Sequence, residues 1–441
     1  MTYFKSGRVI MTAKVNREII ADGVAFTEII DKKFKTDLIR IKLITELNKK
    51  SAPLNTMVSM LISSTNSKIR EYSKMTDALN SLYGADIYSE TSKSGDCQII
   101  TFSANCINNS YAFEGEDILG KLLDITEDCI FSPNIVNGVF DKKEFELKKR
   151  DLKETIAAEI NNKRAYAMHR AGETIYKDEP FACSFYGTIE NADSITSEEL
   201  VQAYRNLIET SEIEVFFVSS ESNPVVRNRF AEAFSKVKRN FKKLEVRSLS
   251  PLKEKPARTE EKIKASQAKT IIAYKSNIDD NNACLVMSRL FGGTPFSLLF
   301  SNVREKMSLC YYCSGSYIYT KGTMFVSSGV ENDNVEKLVS AVSDQLEMIK
   351  RGEISDELIE NTKLYLVNNF KSVPDMPGSL VAWYFDTYRF GEPAELSERT
   401  EQIMNVSKER IIAAARSFEL DTVYVMRTEG SDEEDGESID E

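Results

Sequence analysis

The sequence predicts an α+β fold of two similar domains, each an antiparallel-rich sheet covered on one face by helices. A length of 441 residues suits two hydrophobic cores better than one. One order of elements, strand, helix, hairpin and two helices, also occurs twice along the chain. We predict domains at 1–238 and 268–428, a charged linker at 239–267 and a frayed acidic tail at 429–441.

The first half of the chain opens this order with an alternating strand. Apolar residues recur at every second position from Asp37 to Leu43, which is typical of a half-buried strand. Two further strand-like stretches flank Ser92–Asp96, and this arrangement predicts a hairpin. The other elements predicted here are a helical region at 55–82, hairpin strands at 85–91 and 98–104, and helices at 117–131 and 142–176.

The second half repeats the order. Apolar residues from Val335 to Ile349 fall on one helical face, and Ser355 is placed to cap a second helix that ends before Pro374. The earlier elements predicted in this half are a strand at 270–274, a glycine-interrupted helix at 282–307, and hairpin strands at 311–319 and 323–330.

Composition excludes several classes of function. A net charge of -11 argues against nucleic-acid binding, which relies on clustered lysine and arginine. Uncharged apolar runs such as 270–274 are far shorter than the roughly 18 residues that span a bilayer. The first residues lack the apolar region of a secretory signal, and seven scattered cysteines do not form a disulfide pattern. We therefore expect a cytoplasmic protein with reduced thiols and no membrane partner.

The chain contains a single histidine, His169. A zinc site built on two histidines is therefore impossible within this chain. A serine or cysteine hydrolase would also have to use His169, and its surroundings, Lys163–Arg170, show no such device. We expect His169 to be a surface or packing residue.

The stretch from Leu290 to Tyr311 carries a resemblance to a known family. It contains Gly292-Gly293, then Ser-Leu-Leu-Phe, then Val-Arg-Glu-Lys, and then a tyrosine. In this order and spacing it resembles the second-domain signature of the M16 (pitrilysin or insulinase-like) peptidases. The resemblance extends over nearly the whole chain, and it implies homologous α+β domains that enclose a peptide-binding chamber.

The resemblance also shows what the chain lacks. Active M16 enzymes carry His-x-x-Glu-His on a first-domain helix, and here Asn55, Val58 and Ser59 stand at those three positions. Glu154 and Glu159 lie near the place of the family's third ligand, but without histidines we expect them on a solvated helix face. The resemblance thus implies that this chain binds no metal or other cofactor.

Other parts of the family's constellation are present. Arg304 and Tyr311 match the arginine and tyrosine that hold the substrate backbone and stabilise the oxyanion in the family. Gly292 and Gly293 match a substrate-facing loop, although paired glycines also simply break helices. Because bacterial members occur as pairs, the resemblance implies a heterodimer with a zinc-bearing sibling, to which this chain supplies Arg304 and Tyr311 in trans for peptide hydrolysis.

A finer resemblance rests on Leu82-Tyr83-Gly84-Ala85, the Lys93-Ser94-Gly95 hairpin and the missing zinc motif. These are similar to the non-zinc member of a bacterial pair associated with aminopentanol modification of elongation factor P. The alternative function is a non-catalytic scaffold or peptide-binding protein of the same fold. Cys310 and Cys313 have the spacing of a redox or metal motif, but a single pair in a strand favours a structural role.

Overall fold

The computed structural model describes residues 13–429, and the tail predicted at 429–441 lies outside this range except for Glu429. The strands are β1 Lys14–Ala21, β2 Val24–Ile30, β3 Thr36–Glu46, β4 Asp86–Ser94, β5 Cys97–Ile107, β6 Ile135–Val136, β7 Val139–Phe140, β8 Glu212–Ser219, β9 Ala257–Ile263, β10 Ala268–Lys275, β11 Cys310–Ile318, β12 Thr323–Val330 and β13 Glu419–Thr428. The helices are α1 Ala52–Ile62, α2 Tyr72–Asn80, α3 Ile118–Phe131, α4 Lys142–Ala158, α5 Lys163–Ile175, α6 Ile189–Ser194, α7 Ser197–Thr210, α8 Pro224–Ser235, α9 Asn281–Ser288, α10 Val335–Arg351, α11 Asp356–Lys371, α12 Pro377–Phe390, α13 Leu396–Met404 and α14 Lys408–Ser417. No helix in the described range is long and apolar enough to cross a bilayer.

Both predicted hairpins are confirmed, as β4–β5 and β11–β12. Two predicted helices are each divided in the structure. The region at 55–82 becomes α1 and α2, because the Asn66 side chain accepts a hydrogen bond from the Ile69 amide at 2.7 Å and turns the chain between them. The helix predicted at 142–176 becomes α4 and α5, because Asn162 caps a new helix through the Ala165 amide.

The chain forms two compact units, and neither is continuous in sequence. Within the described range, the first unit contains residues 13–158, 179–248 and 368–401. The second contains 159–178, 249–367 and 402–429. Each unit therefore includes a segment from the other half of the chain. The predicted domains were instead continuous stretches, one for each copy of the repeated order of elements.

The two sheets have the same strand order. The first is β1-β2-β8-β3-β5-β4, and the second is β9-β13-β10-β12-β11, so that only β1 has no counterpart. Each sheet contains one parallel pair, β2 with β8 and β9 with β13, and its other pairs are antiparallel. The α+β class with two similar units is confirmed.

Strand β9 lies inside the segment predicted to be a linker. Its charged residues alternate with partly buried ones, and it pairs with β13 at the end of the second sheet. Arg258 and Glu260 face solvent there, where Arg427 Nε donates to Glu260 Oε2 at 2.8 Å. The linker prediction is therefore wrong for 257–263, because an edge strand with one solvated face needs few apolar residues.

Helices cover both faces of each sheet, and not one face alone. In the first unit, Val215 and Phe217 of β8 point into a core that includes α1, α3 and α7. Phe216 and Val218 point to the opposite face and contact α12. In the second unit, Tyr274 of β10 reaches Ser343 of α10, and the adjacent Lys275 reaches the end of α5. The helices α12 and α5 are the segments that each unit takes from the other half.

A buried ion cluster holds the end of α5 on the second sheet. The Ile175 carbonyl accepts hydrogen bonds from Lys253 Nζ at 3.1 Å and from Lys275 Nζ at 3.0 Å. Both ammonium groups also contact the fully buried carboxylate of Asp421, at 2.7 and 3.2 Å. Burial alone would raise the pKa of Asp421, but the lysines outweigh it and hold this pKa below its ordinary value. Asp421 is thus ionised and neutralises the lysines that cap α5.

Asp421→Asn should release α5, because it leaves two lysines without their counter-charge in a buried site. We expect the free energy of unfolding of the second unit to fall by about 3 kcal/mol. Hydrogen–deuterium exchange should increase over 163–175 before it does so elsewhere in the unit. The control Glu353→Gln removes an exposed carboxylate paired with Arg351 and should leave exchange unchanged. Unaltered protection of α5 in the Asp421 variant would contradict this account.

Candidate functional site

A cavity of about 420 Å³ lies in the second unit between the glycine-rich segment and strand β11. We call it the Arg304 cavity. Gly292, Gly293 and Arg304, three of the four residues predicted as site residues, line it together. Tyr311, the fourth, is not among its lining residues. The structure therefore brings the arginine and the glycines together at one surface.

The glycines shape the cavity wall through close contacts. A Cβ on Gly292 would lie 2.6 Å from the backbone nitrogen of Gly315 in β11, so only glycine fits this approach. A Cβ on Gly293 would lie 2.7 Å from Cδ of Arg289, so the missing side chain leaves space for that arginine. The predicted helix at 282–307 is also interrupted here, because α9 passes into wide helical turns at Arg289–Gly293 and Leu299–Lys306.

Arg304 lies in the last turn of the segment Leu299–Lys306. Its guanidinium carbon lies 4.8 Å from the ring centre of Phe300, and Nη1 lies 3.5 Å from Glu305 Oε1. The side chain is 40% exposed. An arginine supported by a ring and only loosely paired keeps N–H groups available for a ligand.

Tyr311 is the extra residue of a bulge in β11. Cys310 pairs with Val330 and Tyr312 with Gly329, so Tyr311 has no partner across the strands. Its side chain is exposed, and its hydroxyl donates to Glu331 Oε1 at 2.7 Å. This hydrogen bond to an anion raises the pKa of Tyr311. In this arrangement the hydroxyl is directed to Glu331 and not into the Arg304 cavity.

The same bulge brings two thiols together. Because Cys310 and Cys313 oppose Val330 and Ser328, both lie on one face of the sheet. Cys313 donates a hydrogen bond to Cys310, and this bond, with smaller contributions from Ser328 and Arg304, lowers the pKa of Cys310 to about 7 despite burial. The Cys-x-x-Cys spacing was the sequence signal for such a thiol, but the structural role that we favoured from the sequence took no account of the single-residue bulge that aligns the pair.

The helix that would carry zinc holds a closed network of neutral groups. Asn55 donates through Nδ2 to Gln98 Oε1 at 2.9 Å, and Gln98 Nε2 donates to the Ala52 carbonyl at 2.9 Å and to Thr56 Oγ1 at 3.2 Å. Ser59 donates to the Thr56 carbonyl at 2.8 Å. Amide and hydroxyl groups already paired to one another are not a zinc ligand set, so the residues at this position do not fit the metal.

His169 and Glu159 lie close together, with Nδ1 and Oε1 2.6 Å apart and both side chains partly exposed. Glu159 therefore does not stand on a fully solvated face as predicted, because the turn at Glu159–Asn161 directs it back along α5. Glu154 is exposed as predicted and lies 3.8 Å from Arg150. Across residues 13–429, no three histidine, cysteine, aspartate or glutamate side chains are grouped to hold a metal ion.

The family model described as "Peptidase M16 inactive domain" matches residues 194–366. Over 405 residues the chain is 28% identical to the "Probable inactive metalloprotease YmfF" of Bacillus subtilis, covering 91% of this chain and 95% of that protein. A structure of a conserved protein from Enterococcus faecalis V583 superposes with a TM-score of 0.86 at 25% identity, covering 96% of this chain and all of that one. A peptidase M16 inactive domain structure from Pseudomonas fluorescens gives 0.77 at 13% identity, covering 94% and 97%, which shows the fold.

Cys310 should react as a thiolate at neutral pH. Its alkylation rate should rise as pH passes through about 7 and then level off, because the thiolate is the nucleophile. Cys313→Ala removes the hydrogen-bond donor and should shift this profile to higher pH, whereas Cys313→Ser keeps a donor and should shift it less. Peptide mass spectrometry after timed iodoacetamide treatment measures the rate. A Cys310 profile that does not respond to either variant would refute the assignment.

Gln98→Met should destabilise the first unit, because it leaves the Asn55 amide without its buried partner and removes the bonds that Gln98 donates to the Ala52 carbonyl and to Thr56. We expect a loss of about 2 kcal/mol in the free energy of unfolding, measured by urea denaturation. Gln202→Met removes an amide that bonds the neighbouring Asn206 on an exposed helix face, and it should change stability by less than about 0.5 kcal/mol. Equal effects of the two variants would mean that the network has no special role.

Proposed function

We propose that this chain, which belongs to the M16 peptidase family as an inactive-type member, is the non-zinc subunit of a two-chain cytoplasmic peptidase. Its partner would be a sibling chain of the same family that carries zinc, and its substrate a peptide. The observation that carries the proposal is that the chain has two features together. It contains the Arg304 cavity, and the helix at the position of the zinc motif carries neutral side chains instead of metal ligands.

Arg304 suits a role in holding substrate. Its guanidinium is partly exposed, has one carboxylate neighbour at 3.5 Å, and keeps several N–H donors for a peptide carbonyl. Such donors stabilise a carbonyl oxygen most strongly when it gains negative charge, which is the requirement of peptide-bond hydrolysis. The likeness to the "Uncharacterized zinc protease YmxG" of Bacillus subtilis, 21% identical over 285 residues, agrees with a relation to zinc-bearing chains.

In this proposal the Tyr311 hydroxyl leaves Glu331 and donates its hydrogen bond to the substrate instead. The hydroxyl now donates to Glu331, and both groups lie at the surface, so a substrate carbonyl can compete for the same proton. Water and other acceptors compete for an exposed hydrogen bond of this kind, so it is readily replaced. The bulge that leaves Tyr311 outside the strand register gives its side chain this freedom.

The second candidate is a non-catalytic scaffold or peptide-binding protein. The hydrogen bond between Tyr311 and Glu331 favours this alternative, because it occupies the hydroxyl that catalysis would need. In this alternative the Arg304 cavity binds a peptide, and this chain takes no part in peptide hydrolysis.

The test is co-expression of the chain with a zinc-bearing M16 chain from the same organism, followed by turnover of a quenched fluorescent peptide. Arg304→Ala should lower kcat by about a hundredfold, because a donor to the oxyanion is lost, and Tyr311→Phe should lower it by a smaller factor. The control Arg351→Ala, on the exposed end of α10, should leave turnover unchanged.

Gel filtration of each variant complex separates chemistry from assembly. A loss of turnover with the complex intact supports the catalytic role. Full activity of the Arg304→Ala, Tyr311→Phe double variant, or a stable complex that cleaves no peptide, would leave the scaffold function as the better account.

A further inference from the structure

The charged residues that line the Arg304 cavity are all positively charged. Two arginines, Arg289 and Arg304, line it, and no aspartate or glutamate belongs to its wall. A third arginine, Arg164 of α5, lies 4.4 Å from the ring centre of Tyr312 and donates through Nη2 to Ser314 Oγ at 2.7 Å. Tyr312 and Ser314 are lining residues, so this third guanidinium lies next to the cavity wall and adds positive charge there.

Two hydrogen-bonding groups at this space have no partner within residues 13–429. Thr294 is only 6% exposed, and its buried hydroxyl makes no hydrogen bond. The buried Nε of Arg289 is likewise unpartnered. Leaving a buried donor unsatisfied is unfavourable, and a ligand that supplied an acceptor here would remove this cost. Here both groups belong to side chains that line the same cavity.

The glycine pair keeps Arg289 in this place. Gly293 leaves the room that the Arg289 side chain occupies, and Gly292 seats the whole turn against Gly315. Lys269, whose ammonium lies 5.5 Å from the Tyr312 ring centre, adds further positive charge. A volume of about 420 Å³ accommodates one or two amino-acid residues of a ligand.

We propose that the Arg304 cavity is a carboxylate-binding subsite that selects peptides by an anionic group. Arg289 and the Thr294 hydroxyl bind the carboxylate, and Arg304 stays free for the backbone carbonyl. Guanidinium groups bind carboxylates through paired, charge-assisted hydrogen bonds. A carboxylate from the ligand would therefore supply the acidic partner that the cavity wall does not provide for Arg289. The carboxylate comes from an acidic side chain or from the carboxyl end of the peptide. This inference rests on the proposed function only in taking the ligand to be a peptide.

The experiment measures peptide binding to the full chain without any zinc-bearing partner. Four rhodamine-labelled octapeptides share one alanine-rich sequence, with glutamate or glutamine at the centre and a free or amidated carboxyl end. Fluorescence anisotropy at low salt gives each Kd. We expect the peptides with the recognised carboxylate to bind at least about tenfold more tightly than their neutral counterparts. The pair that shows the preference identifies the source of the carboxylate.

Variants test the residues named. Arg289→Gln and the isosteric Thr294→Val should each reduce the preference, and the second keeps the size of the side chain so that folding is preserved. Arg351→Gln, an exposed arginine paired with Glu353, should retain it. Equal affinity for all four peptides, no binding of any peptide, or an unchanged preference in Arg289→Gln would overturn the proposal. These results are independent of the turnover test, which reports on Arg304 and Tyr311.

Discussion

The close approach of Gly292 to Gly315 determines the arrangement of the whole candidate site. A single Cβ at Gly292 would come within 2.6 Å of the β11 backbone, so any other residue would push the two segments apart. This contact fixes the cavity wall that the glycine-rich turn forms with β11. The position of Arg289 beside Gly293 and the place of Arg304 at the cavity depend on the same turn. The glycine pair therefore breaks the helix and also shapes the wall of the Arg304 cavity.

Helix α1 stands where the family's zinc motif would lie, and its polar side chains have hydrogen-bond partners within the first unit. Replacing ligands with Asn55 and Ser59 would leave polar groups buried without partners unless others met them. Gln98, Thr56 and the Ala52 carbonyl satisfy Asn55 and its neighbours in a closed network. The helix has its own hydrogen-bond requirements, so histidines introduced at positions 55 and 59 would disturb this network.

Local pattern was enough to predict the α+β class, the duplication and both hairpins, because alternation and helical spacing are properties of neighbouring residues. The histidine count was enough to exclude a zinc site built on two histidines of this chain. Features that depend on distant contacts were not predictable. The charged strand Ala257–Ile263 needs β13 to be recognised as a strand, and the bulge at Tyr311 depends on a one-residue shift against β12. Nothing in the local sequence of α5 indicates that it packs in the second unit, and nothing in that of α12 indicates that it packs in the first.

That exchange of helices has a consequence for synthesis of the chain. The first unit needs residues 368–401, and α12 among them covers the apolar face formed by Phe216 and Val218. The ribosome therefore has to synthesise the chain as far as α12 before this sheet can be covered on both sides. Domain-by-domain folding, the usual protection of long chains against aggregation, is not open to the first unit. Its apolar strand face therefore stays open to aggregation until residues 368–401 have been synthesised.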